Sequence, residues 1–238
     1  MRRFLRMGFK VGAAVGVAAL VMGVLATPAA SAQQSIGFHF GGFSPRGEDA
    51  RSPGDVLVRD LDFLAFNIKD FNSAAVGAEY LVGLGDLFEG SLGVGFQSRT
   101  VPAVYNDFVN ANGTEIEQSL KLSMVPFTAT VRVLPLGHHD AITPYFGAGV
   151  AVIRWQYKEF GQFLATDSTI FRGNFVGDGT ATGPVILGGL RVPVGSWDIG
   201  GEIRYQNAKG DLPPDQDFFG TKIDLSGFTY VFTANVRF

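Results

Sequence analysis

The 238 residues include 32 glycines and 22 phenylalanines but no cysteine, so the fold takes no help from disulfides. The first 32 residues hold four of the 19 basic residues and none of the 22 acidic ones. Without them the chain has 15 Lys and Arg and a formal charge of −7, which excludes the electrostatic footprint of a nucleic-acid binder. After Leu25 no apolar run reaches the ~18 residues of a spanning helix, which excludes a helical membrane protein and leaves many glycine-bearing strands.

The chain opens with the pattern of a secretory signal peptide. Arg2, Arg3, Arg6 and Lys10 form a basic segment, Val11 to Leu25 an apolar run, and Ala30-Ser31-Ala32 a small-residue cleavage site. Residues 1–32 are therefore expected to be a cleaved signal, by the Sec route, and residues 33–238 a single mature domain. The apolar run is too short for an uncleaved anchor helix.

Period-two alternation then marks eight strands. The first, near Gln34 to Phe43, sets Ile36, Phe38 and Phe40 against Ser35, Gly37, His39 and Gly41. The second, near Asn72 to Val82, sets Val76, Ala78 and Tyr80 against Gly77 and Glu79. A turn at Gly83-Leu84-Gly85-Asp86 leads to the third, where Phe88, Leu92, Val94 and Phe96 oppose Glu89, Ser91, Gln97 and Arg99.

The fourth strand, near Gln118 to Leu134, changes phase: Leu120, Leu122 and Met124 precede Pro126, and Phe127, Ala129, Val131 and Val133 follow it on the other parity, as a β-bulge would produce. The fifth, Pro144 to Lys158, is apolar on both sides near its middle. The sixth (Gly183 to Val194) and seventh (Trp197 to Gln206) carry Arg191, Asp198, Glu202 and Arg204 on their polar side. The eighth, Leu225 to Phe238, sets Phe228, Tyr230, Phe232, Ala234, Val236 and Phe238 against Gly227, Thr229, Val231, Thr233, Asn235 and Arg237.

Connections alternate in length. Gly83 to Leu87, Pro135 to Ile142 and Gly195-Ser196 are short; Ser44 to Phe71, Tyr105 to Glu117, Glu159 to Thr182 and Lys209 to Ile223 are long. The pattern predicts an all-β, eight-stranded, antiparallel, up-and-down transmembrane β-barrel with periplasmic turns and surface loops. A soluble sandwich or lipocalin-like cup would invert the faces; the aromatics near strand ends, Tyr145, Trp155, Tyr157, Trp197 and Tyr205, favour membrane girdles instead.

Thr143-Pro-Tyr-Phe-Gly-Ala-Gly-Val150, Val125-Pro-Phe-Thr-Ala-Thr-Val-Arg132 and the Phe-ended last strand give the chain its family look. It resembles the small eight-stranded outer-membrane proteins, the group of the OmpA membrane domain, OmpX and OmpW. The resemblance implies bacterial outer-membrane localisation and contact with lipopolysaccharide. It also implies Tyr230, Phe232, Val236 and Phe238 as a C-terminal assembly signal, with the barrel-assembly machinery and periplasmic chaperones as partners. The peptidoglycan-binding domain that follows the OmpA barrel is not expected here, the barrel being read as running to Phe238. Fold likeness does not supply an activity.

The predicted lumen face carries Glu79, Glu89, Asp198 and Glu202 with Arg99, Lys121, Arg132, Arg154, Arg191, Arg204 and Arg237. Buried charges demand partners, and strand heights pair Glu89 with Arg132, Arg191 with Asp198 or Glu202, and Arg237 with Asp198. The expectation is a charge-plugged lumen. His39 is a lone inward histidine with Ser44 and Glu48 following, a poor match to the His, Ser and acid of a lipid A-modifying enzyme. His138-His139 lack a third metal ligand, and Asp211, Asp215 and Asp217 lack calcium-loop spacing.

The first loop, Leu61 to Phe71, is apolar; it is expected to extend the second strand above the membrane, the alternative being a fold over the mouth that lines a small hydrophobic pocket. The reading is a non-enzymatic barrel with a structural or surface-interaction role, no cofactor and no metal. Its alternatives are an OmpW-like conduit for a small hydrophobic ligand, and behind that a lipid A-modifying enzyme.

Overall fold

The computed structural model describes residues 33–137 and 141–238. The segment read as a signal peptide and the pair His138-His139 lie outside the described residues. Eight long strands close into a ring: β1 (Gln34–Pro45), β3 (Ser73–Gly83), β4 (Phe88–Val109), β5 (Glu115–Val133), β6 (Thr143–Leu164), β7 (Ile170–Val194), β8 (Trp197–Gln206) and β11 (Gly227–Arg237). Each is antiparallel to both neighbours. The last strand seals the ring against the first, from Ser35↔Arg237 to Pro45↔Gly227. Three short strands, β2 (Leu64–Ala65), β9 (Lys209–Asp211) and β10 (Lys222–Asp224), belong to the long connections.

The faces of the ring are set by alternation. On β11, Phe232 is 66% exposed while its neighbours Val231 and Thr233 are 7% and 4% exposed, so the aromatic side of the strand is the outside. The same outside face carries Ile36, Phe38 and Phe40 on β1, Phe127, Val131 and Val133 on β5, Phe146, Val150 and Val152 on β6, and Ile186, Leu190 and Val192 on β7. The series spans nine residues on β4, from Phe88 to Phe96, and nine on β7, from Ile186 to Val194, the length that crosses a bilayer on a tilted strand. A band of bare Phe, Ile, Leu and Val around the whole ring has no aqueous counterpart. The barrel is transmembrane.

Three expectations from the sequence need correction. Tyr105 to Glu117 and Glu159 to Thr182 are not free loops but the tops of two long hairpins, turning at Asn110–Thr114 and Ala165–Thr169 through backbone bonds of 2.8 and 2.9 Å. Their β6–β7 ladder runs unbroken to Leu164↔Ile170. The bulge expected beside Pro126 is absent: the β5–β6 register is continuous, and β4–β5 pairing at Val94↔Phe127 resumes at Gln97↔Met124 in the same register. Leu120, Leu122 and Met124 point inward with Thr128, Thr130 and Arg132, so the interior changes character while the strand keeps its phase. By the same logic Tyr145, Trp155 and Tyr157 are fully or almost fully buried inside the barrel rather than girdling it.

The interior therefore has two levels. At the end with the short turns and both terminal strand ends, which in outer-membrane barrels faces the periplasm, inward residues are polar and charged. At the opposite end the first long connection folds down into the mouth. Its short helix α1 (Val56–Asp60), β2 and a 3-10 turn at Ile68–Phe71 bring Val56, Leu57, Leu64, Ile68 and Phe71 into one apolar cluster with Leu120, Leu122, Met124, Ile153 and Trp155. Leu61 to Phe71 thus covers and fills the mouth rather than extending a strand.

Candidate functional site

The polar level is built by side chains from six strands. Arg132 on β5 is fully buried and meets all three neighbouring carboxylates: Glu79 at 2.5 Å, Glu202 at 3.1 Å and Glu89 at 3.4 Å. Arg191 on β7 grips Glu89 with both terminal nitrogens, at 2.9 and 2.7 Å. Arg204 on β8 bonds Glu202 at 2.6 Å and reaches Glu79 at 3.6 Å. Three guanidinium groups and three carboxylates form a set with no net charge, which is the condition for holding charges out of water.

Tyr145 on β6 completes this level. Its hydroxyl donates to Glu202 at 3.1 Å, and the guanidinium carbons of Arg132 and Arg191 stand 5.0 and 4.4 Å from its ring centre. Cation–π contact adds to the ion pairing. Gly189 leaves the room: a Cβ there would sit 2.4 Å from the Tyr145 hydroxyl oxygen.

The structure separates the predicted lumen charges into four groups. Glu79, Glu89, Arg132, Arg191, Glu202 and Arg204 come together. Arg237 and Asp198 pair at 3.5 Å on the periplasmic rim, apart from the cluster, and Arg237 also donates to the Gly195 carbonyl at 2.5 Å. Arg99 is exposed and donates to the Asp70 carbonyl at 2.9 Å. Lys121 and Arg154 stand on the outside face, at the level above the apolar belt. Arg191 finds Glu89 across the lumen in place of the Asp198 or Glu202 expected from adjacent strands.

His39 is buried inside the barrel and shares a cavity of about 20 Å³ with Arg204, Gln206 and Thr128, room for one water. Ser44 has the opposite parity on β1 and Glu48 lies in the exposed 3-10 turn Glu48–Ala50, so the three form no catalytic set. Asp211, Asp215 and Asp217 are solvent-exposed in the last long connection. Among the described residues no three acidic, histidine or cysteine side chains converge as a metal site.

Sequence reasoning missed two polar clasps that hold the mouth shut. In the first, Arg51 ion-pairs with Asp55 and donates to the Asp224 carbonyl at 2.7 Å. The Asp55 carboxylate accepts from the Asp224 amide at 2.7 Å, and the Asp224 carboxylate accepts from the Ser52 amide at 3.0 Å and hydroxyl at 2.8 Å. In the second, Asp60 at the end of α1 accepts from the Tyr157 hydroxyl at 2.8 Å beside Glu159, which takes a 3.4 Å bond from Gln118.

Both carboxyls of the second clasp are buried, and one oxygen of each has no partner while both are ionised. A proton shared between them satisfies both. Burial and the Glu159 charge push Asp60 well above the ordinary carboxylate range, and burial lifts Glu159 to about 7 against the bonds from Tyr157, Gln118 and Asp60. The available sequence signal was the run Arg154, Gln156, Lys158 on the outward parity of β6, which ends the lipid face at Val152 and forces Trp155, Tyr157 and Glu159 inward.

No family model matches the sequence, and no curated protein is similar enough in sequence to match. Among solved structures the chain is similar to Ail, the attachment invasion locus protein of Yersinia pestis, solved with the heparin analogue sucrose octasulfate (11% identity, 87% of this chain and 99% of that one, TM-score 0.42). It is also similar to Neisserial surface protein A (10% identity, 87% and 96%, TM-score 0.44) and to outer membrane protein AlkL in lipid bilayers (18% identity, 89% and 95%, TM-score 0.42). The chain is an eight-stranded transmembrane β-barrel on the strength of its own closed sheet and its continuous apolar belt.

Proposed function

We propose that the protein is a sealed, non-enzymatic barrel of the bacterial outer membrane, with a structural role in the membrane and a surface-interaction role carried by its extracellular hairpins. The single observation behind this reading is that the lumen is filled at both levels: the ion-paired cluster around Arg132 on the periplasmic side, the apolar cluster around Leu57 on the other. The cavity beside His39 and another at the periplasmic rim measure about 20 Å³ each, enough for single waters and not for a hydrated ion path.

On the same reading residues 1–32 direct Sec export, and Tyr230, Phe232, Val236 and Phe238, on or just beyond the outward face of the sealing strand, engage the assembly machinery. A conduit for small hydrophobic molecules requires α1 and its neighbours to leave the mouth, and with them the buried clasps.

The test is single-channel conductance of the folded mature protein in a planar bilayer, beside its electrophoretic mobility before and after heating. A heat-shifted band without steady current is the expected result. Steady conductance overturns the sealed barrel, and solubility without detergent overturns the membrane assignment.

A further inference from the structure

Above the apolar belt a row of aromatic rings runs from the last long connection to the top of β6 and β7. It starts at Phe219, whose ring centre lies 4.5 Å from that of Phe63 in the first connection, and Phe63 lies 5.8 Å from Tyr105 on β4. The Tyr105 hydroxyl accepts from the Leu164 amide at 3.2 Å. Next to Leu164, Phe163 stacks on its directly opposed partner Phe171 at 5.7 Å and meets Phe175 edge-on at 4.8 Å. Along the unbroken β6–β7 ladder Phe163 keeps the parity of Tyr157 and Glu159, so this end of the row is on the side of the mouth.

These rings are not part of the lipid face. Phe163 stands eleven residues beyond Val152, the last belt residue of β6, yet Phe171 opposite it is 44% exposed and Phe219 is 69% exposed, apolar surface held in water. The charge around them is one-sided. The four long connections, residues 44–71, 105–117, 159–182 and 209–223, hold seven basic residues against fifteen acidic ones, a formal charge of −8, while the rest of residues 33–238 carries +1. Exposed carboxylates adjoin the row: Asp62 precedes Phe63, and Asp215 and Asp217 lead up to Phe219. Asp62 has a long 3.9 Å pair with Arg59; among the described residues Asp215 and Asp217 form no ion pair.

We propose that this row is a docking surface for a basic peptide segment of a partner protein, one in which arginines are interspersed with apolar side chains. Guanidinium planes lie over the exposed rings of Phe219 and Phe171, and the neighbouring carboxylates take their N–H groups. The apolar side chains of the segment cover ring surface between them. A neutral glycan would use the rings and not the charge, and an anionic one would be repelled. The inference rests on the surface-interaction role proposed above and names its partner class. A sealed barrel that ignores such a peptide refutes the docking surface and leaves the sealing intact; a conducting barrel that binds it does the reverse.

The experiment is fluorescence anisotropy of a labelled arginine–leucine peptide titrated with the folded mature protein in phosphocholine nanodiscs, with empty nanodiscs as the blank. The peptide is expected to bind the loaded discs, and its counterparts with glutamate for arginine or serine for leucine to bind less tightly. The variant F171S/F219S, altered at two exposed side chains and checked for the heat-shifted band, loses about tenfold in affinity, as two ring–cation contacts at exposed sites would supply. F160S, on the outward parity of β6, keeps it. D62N/D215N/D217N slows association, because the carboxylates steer the encounter. Equal binding to empty discs, equal binding of either altered peptide, an unchanged F171S/F219S, an equal loss in F160S or unaltered association in the triple variant overturns the proposal. Displacement of the peptide by neutral dextran identifies a glycan surface and overturns the peptide assignment.

Discussion

Arg132 shows how one side chain closes a lumen. It is the only position from which a single guanidinium touches Glu79, Glu89 and Glu202 together among the described residues, so its removal leaves three buried carboxylates with two partners. Arg132→Met is expected to destabilise the folded barrel by about 3–5 kcal/mol, the cost of breaking a buried ion pair from one side. A urea titration in lipid vesicles reads this as a lowered midpoint. Arg237→Met breaks a partly exposed rim pair with Asp198 and one bond to the Gly195 carbonyl, and there the expected change is within about 1 kcal/mol. Equal losses in the two variants would mean that the cluster stabilises no more than a surface contact. Of this site, the Glu89–Arg132 pair was legible in the sequence, since both lie on adjoining strands counted from one turn. The Arg191–Glu89 pair was not, because β7 and β4 meet only across the lumen.

Element by element, legibility followed contrast between faces. β1, β8 and β11 set aromatic or aliphatic residues against small and polar ones, and their orientation followed from alternation alone. In β5 and β6 the upper interior is as apolar as the lipid face, because α1 packs there. Leu120 or Trp155 facing protein carries the same signature as Phe127 facing lipid, and the phase had to be read from the polar outward residues instead. The first long connection escaped for a related reason: its apolar residues are matched to a core built by distant strands.

That connection is also where pH acts. Asp60 and Glu159 have folded-state proton affinities raised above those of exposed carboxyls, Glu159 to about 7. A raised carboxyl binds more protons in the docked state than in the open one, so docking weakens as pH rises. Its stability is greatest below about pH 4, where exposed carboxyls are also protonated, and falls as pH climbs through about 7, where Glu159 gives up its proton in the docked state. Amide hydrogen exchange of residues 56–71 is expected to quicken across that window relative to the intrinsic rate. Glu159→Gln, which retains a hydrogen bond and removes the charge, flattens the dependence; the same pH response in that variant would place its origin elsewhere.

At the scale of the whole molecule, closure depends on the last strand meeting the first. β11 pairs with β8 and β1 along its entire length, so no barrel exists until the chain's end is in place. Deleting Phe238, whose side chain is 67% exposed and whose amide donates to the Gln34 carbonyl at 3.0 Å, removes one terminal backbone bond and is expected to slow assembly in cells while barely moving the urea midpoint of material folded in vitro. A lowered midpoint with normal assembly would assign Phe238 to stability rather than to recognition.

The two tall hairpins are neighbours, joined through β5–β6 up to Gln118↔Gly161. β6 continues twelve residues past Val152, about 40 Å of strand at ~3.3 Å per residue. They rise as one four-stranded fin on one side of the mouth, and the connections on the other side are folded inward as the plug. The tips at Asn110–Thr114 and Ala165–Thr169 are therefore the places where the protein would display a grafted epitope without consequence for the barrel, whereas the same insertion between Arg51 and Phe71 would uncork it.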